Sequence, residues 1–93
     1  MGEVRGRNLG DSYEGESRFR GDATDDLANL EQAFEEAARQ ASAAIEERRS
    51  SGELDDDACD KEYSRTYDTQ IEIEVRSHNQ HVKVYRVRIT PGG

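Results

Sequence analysis

TDDLANLEQAFEEAARQASAAIEERR, residues 24–49, carries the clearest periodicity in the chain. Leu27, Leu30, Phe34, Ala37, Ala38, Ala41, Ala44 and Ile45 recur at alternating spacings of three and four, which gathers them into one stripe of an α-helix. The opposite side holds Glu31, Gln32, Glu35, Glu36, Arg39, Gln40, Glu46 and Glu47. Asp22 or Thr24 is placed to cap the N-terminus, and Asp25 and Asp26 suit the positive end of the dipole. Arg48 and Arg49 suit the last turn, and Gly52 is the expected terminator. The stripe is bulky at its start and alanine-rich through its second half. Small residues let a helix axis come close to what lies beneath it, and a coiled coil would want Leu or Ile at those positions. The expectation is a helix lying on a sheet.

The sheet is sought on both sides of the helix. Downstream, Tyr67, Thr69, Ile71, Ile73 and Val75 alternate with Asp68, Gln70, Glu72, Glu74 and Arg76, the pattern of a half-buried strand. Ser77 to Gln80 reads as a turn and Val82 to Thr90 as the return strand, giving a β-hairpin over 67–90. Opposed residues share a face, so pairing partners whose numbers sum to 158 or 160 set Ile71, Ile73 and Val75 against Tyr85, Val87 and Ile89. The same register brings Glu72 and Glu74 beside Arg86 and Arg88. Val82 and Val84 have the other parity, which implies either a bulge near Val84-Tyr85 or a strand buried on both sides. Upstream, only residues 16–20 resemble a short strand, with Phe19 as its one large apolar side chain. Residues 1–15, with Gly at 2, 6, 10 and 15, read as a flexible glycine-rich tail. The fold class expected is therefore α+β, one amphipathic helix on a small antiparallel sheet in the order β-α-β-β. Residues 16–93 form the single domain, with helix 24–49, acidic linker 50–66 and hairpin 67–90.

Composition adds a constraint on assembly. Leu, Ile, Val and Phe make up 15 of 93 residues, and the net charge is −8. Small domains with so little core need disulfides, metal or oligomerisation as support. One cysteine excludes an internal disulfide, which leaves a homo-oligomer as the expected state. Residues 21–62 hold fourteen acidic and four basic groups, so nucleic-acid binding is disfavoured and a basic protein partner is the competing expectation for that segment. No stretch is long and apolar enough for a membrane span or signal peptide, so a cytoplasmic protein without membrane contact is expected. Eleven Arg against two Lys, with 21 carboxylates, suits a high-salt cytoplasm; GC-rich coding is the alternative cause of the missing lysine.

Candidate chemistry is sparse. Arg76, Arg86 and Arg88 are the candidate ligand-binding residues, on an outer strand face with Lys83, where pairing with Glu72 and Glu74 is the competing use of their charge. Carboxylates at 53, 55, 56, 57 and 60 lack the alternation and central glycine of an EF-hand loop and read as a solvated acidic linker. Cys59 among aspartates is the wrong setting for a thiolate nucleophile. His78 and His81 form H-x-x-H at a turn without further ligands at zinc spacing. Arg20-Gly21-Asp22 reads as a glycine hinge and a helix cap, and Gly92-Gly93 follows a proline instead of ending a flexible tail. No nucleophile, acid–base pair or phosphate loop stands out, so the expectation is a non-enzymatic protein.

In order, the pieces FRGDATDDLANLEQAFEEA, a strand, glycine turn and capped helix, and VKVYRVRIT, a final strand, resemble the dodecins and the small dodecin-like proteins. That resemblance implies a three-stranded sheet wrapped on one helix and a high-order homo-oligomer serving as a scaffold, binding or storage protein. Dodecins stack flavin on a tryptophan; this chain has no Trp, so no cofactor is expected and no site is carried over.

Overall fold

The computed structural model describes residues 2–21, 25–77 and 79–92. Its elements are β1 (Gly2–Asn8), β2 (Tyr13–Arg20), α1 (Asp26–Ser50), α2 (Asp56–Tyr63), β3 (Tyr67–Ser77) and β4 (Val82–Pro91). The class is α+β, and the order β-β-α-α-β-β adds a first strand and a second helix to the expected β-α-β-β. All four strands are antiparallel, in the spatial order β1-β2-β4-β3.

The ends of α1 follow from its sequence. The Asp25 carboxylate accepts from the Ala28 N–H at 3.2 Å, while the expected caps Asp22 and Thr24 lie outside the described residues. Gly52 (φ +82°) ends the helix: its N–H donates to the Arg49 carbonyl at 3.1 Å, and that of Glu53 donates to Arg48 at 3.0 Å. This pair of bonds is a Schellman motif, which a left-handed glycine makes unstrained.

Beneath α1 the sheet is made to fit. Gly6 and Gly15 are cross-strand partners of β1 and β2. A Cβ on Gly15 would stand 1.8 Å from the Ala33 carbonyl oxygen and 2.7 Å from the Ala37 nitrogen. Ala33 and Ala37 sit on this seat, and with Ala41 they form one buried cluster with Val87 and Ile89. The expected close approach over small residues is therefore realised. The expected flexible tail is not: residues 2–8 form β1, because the glycines there make room for a helix. A buried polar link joins the layers, Ser17 Oγ donating to Asn29 Oδ1 at 2.9 Å and Asn29 Nδ2 to the Asp25 carbonyl at 2.9 Å.

The C-terminal hairpin takes the first of the two expected registers, Ile71 opposite Val87, Ile73 opposite Tyr85 and Glu72 opposite Arg86. The irregularity falls in β3 between Val75 and Ser77, not in β4. Val82, Val84, Tyr85, Val87 and Ile89 are all buried, and because Val82 and Val84 have the other parity, β4 holds buried side chains on both of its faces. The acidic linker also gains structure. Asp55 caps α2 through the Ala58 N–H at 2.8 Å, and Asp56 and Asp57 occupy its first turn.

Candidate functional site

The two faces of the sheet differ in kind. The face away from α1 is an ionic lattice centred on Glu14, whose side chain is only 2% exposed. Arg7 Nη2 donates to Glu14 Oε1 at 2.7 Å and Arg88 Nη2 to Oε2 at 3.2 Å, with Arg86 Nε 3.8 Å away. Arg86 also reaches Glu72 Oε1 at 2.9 Å and Glu16 Oε2 at 3.6 Å. Arg76 pairs with Glu74 at 3.4 Å. Burial pushes the Glu14 carboxyl up, but the hydrogen bonds from Arg7 and Arg88, with the charges of Arg7 and Arg86, outweigh it and hold the group below its ordinary value.

All three candidate ligand residues, Arg76, Arg86 and Arg88, thus lie on this face with carboxylate partners. Arg86 and Arg76 take Glu72 and Glu74, as the competing reading had it. Arg88 takes Glu14, a residue that the glycine-rich reading of 1–15 assigns to a tail. The missed signal was a period of two: Glu14, Glu16, Arg18 and Arg20 alternate with Tyr13, Gly15, Ser17 and Phe19. Arg86 and Arg76, with Arg5, Arg7 and Arg18, border a shallow depression of about 590 Å³ that Glu14 and Glu16 also line. An anion entering it would compete with carboxylates already in place.

The other face is apolar and only partly covered. α1 lies over β2, β1 and β4, and β3 projects beyond it. The consequence is a row of β-branched side chains open to solvent: Ile71 is 61% exposed, Ile73 44% and Val75 44%. Across the step, Phe34 is 47% exposed and Leu27 78%. Leu27 and Phe34 are seven residues apart and share one side of α1. These belong to the stripe expected to be core, yet the buried line runs through Asn29, Ala33, Ala37, Ala41 and Ile45. The apolar stripe of α1 is therefore wider than its own sheet covers.

Between helix and strand runs a groove of about 380 Å³. Phe34, Ala38, Ala41 and Ile45 form its wall, Thr69 and Ile89 its floor, and Tyr63 and Tyr67 its end. Tyr63 is held there by donating to Glu46 Oε1 at 2.7 Å, with Ser42 Oγ 3.2 Å away. Burial raises the Tyr67 phenol above its ordinary value. This surface offers aromatic and aliphatic contact, with polar atoms at its edge.

The remaining candidates are accounted for locally. Cys59 is buried between the helices, where Arg49 Nε donates to its Sγ at 3.3 Å. Among the described residues no group of His, Cys, Asp and Glu could hold a metal ion, and His78 of the H-x-x-H pair lies outside them. Gly92 is tied to the fold, its N–H donating to the Thr66 carbonyl at 2.7 Å and its carbonyl accepting from Arg65 at 2.8 Å. No helix among the described residues is long and apolar enough to cross a membrane. No family model, curated protein or solved structure matches this chain.

Proposed function

We propose that this chain is a non-enzymatic, self-associating binding or scaffold module, and that its working surface is the step formed by β3 and the groove-side flank of α1. The observation that carries the reading is the set of exposed apolar side chains Ile71, Ile73, Val75, Phe34 and Leu27, left open in a chain otherwise poor in large apolar residues. Large exposed apolar patches mark interaction sites. The reading keeps the oligomeric habit implied by the dodecin-like resemblance and none of its flavin chemistry.

Solution mass by light scattering, in low and in molar salt, tests it. The wild-type chain is expected to be a compact oligomer. The I71E/I73E double variant is expected to be a monomer with an unchanged circular-dichroism spectrum, since neither side chain is buried within one copy. A wild-type monomer in both salts overturns the reading. Salt-sensitive binding of a basic protein by that monomer would then support docking through residues 22–62, where Glu31, Glu35, Glu47 and Asp55 to Asp57 are exposed.

A further inference from the structure

β3 is an edge strand of eleven residues. Along its outer side alternate backbone N–H and C=O groups point away from β4, a template for another strand. Natural edges are blunted by proline, charged side chains (lysine above all), short length or a bulge. β3 contains no proline or lysine, its charges Asp68, Glu72, Glu74 and Arg76 include both signs, and its one irregularity is near its end, between Val75 and Ser77. The other edge, β1, has seven residues, two of them glycine.

We infer that a second copy of this chain pairs with β3, antiparallel about a two-fold axis at Glu72, so that two four-stranded sheets become one of eight strands. This inference rests on the self-association proposed above and specifies its geometry. Glu72 is the midpoint of Tyr67–Ser77, so this register alone overlaps the whole strand. It sets Ile71 opposite the partner's Ile73 and Thr69 opposite the partner's Val75, on the apolar face. On the charged face it sets Asp68 opposite the partner's Arg76, twice. Asp68 carries no ion pair among the described residues, and Arg76 has only the exposed Glu74 of its own strand. At the axis two Glu72 side chains meet, each already bound by Arg86 at 2.9 Å.

Neighbouring registers are worse. Sliding by two residues one way opposes Asp68 to the partner's Glu74, and the other way opposes Glu72 to the partner's Glu74. Both place like charges directly across from each other at two symmetric points. Sliding by one residue turns the apolar row onto the charged face. In the chosen register the apolar rows of the two copies lie side by side, joining the two grooves across one floor.

Single-cysteine substitutions on the exposed face test the register, with wild type as control because Cys59 is buried. E72C is expected to form an interchain disulfide readily, since residues opposed on the axis have Cα atoms within bridging distance. Q70C and E74C are expected to cross-link at least ten-fold more slowly, because each then lies about 13 Å from its own copy along the strand. In the charge arm, D68R is expected to weaken association and D68R/R76D to restore it. An oligomer that cross-links fastest at 70 or 74, or at none of the three, overturns the register and leaves self-association standing. A monomer by light scattering overturns both.

Discussion

Gly15 shows how much a single missing side chain does here. Its Cβ position is occupied by the backbone of α1, so Gly15→Ala must push the helix off the sheet. The expected cost is about 3 kcal/mol, read as a fall in the urea midpoint. Gly10 has a positive φ but open space around it, so Gly10→Ala is expected to cost only about 1 kcal/mol. Glu14 is the second decisive residue. Its folded pKa lies below the unfolded value of about 4.3, so the stability it contributes is complete above that value. That contribution disappears as the pH falls through the folded pKa. Denaturant melts from pH 6 down to pH 2 are therefore expected to lose stability steeply in wild type and more shallowly in Glu14→Gln. The glutamine variant is also expected to be less stable at pH 6, because Arg7, Arg86 and Arg88 lose their shared counter-charge.

At the level of elements, α1 is anchored at its N-terminus by two neighbouring aspartates with different tasks. Asp25 caps the helix, and Asp25→Ala is expected to cost about 1 kcal/mol in thermal or denaturant melts. Asp26 reaches across to β4, where the Tyr85 hydroxyl and Lys83 ammonium both donate to it. Those two hydrogen bonds hold the Asp26 carboxyl below its ordinary value. Tyr85→Phe removes the bond while keeping the ring, and is expected to cost about 1–2 kcal/mol. Most of this architecture is legible in the sequence: side-chain periodicity gives the helix, the hairpin and two candidate registers, and Gly52 marks the helix stop. The first hairpin is not. Gly6 and Gly15 stand where α1 presses, and glycines placed for close approach look the same in sequence as glycines placed for flexibility.

For the molecule as a whole, charge and shape act on assembly in opposite directions. Each copy carries a net charge of −8, while its uncovered β3 row favours burial. Screening shortens from about 10 Å at 0.1 M salt to about 3 Å at 1 M, which removes repulsion between copies and leaves apolar contact intact. Sedimentation at a series of salt concentrations is therefore expected to show tighter association as salt rises. Weaker association at higher salt would mean that ion pairs, not the apolar step, dominate the interface.

The 3.6-residue stripe of α1, the two-residue alternation of β3 and β4 and the parity between them are local properties. Each element carries them in its own order of side chains, so they specify helix and hairpin and narrow the register to two choices before any layer is packed. Which part of an apolar stripe ends up covered is not local. It depends on where α1 comes to rest, and the Gly6–Gly15 seat places the helix over β1 and β2, away from β3. Only that placement turns Ile71, Ile73, Val75 and Phe34 from apparent core into an open surface. It also brings Glu14 from the chain's start to Arg88 near its end, a meeting across 74 positions that no spacing along the chain announces.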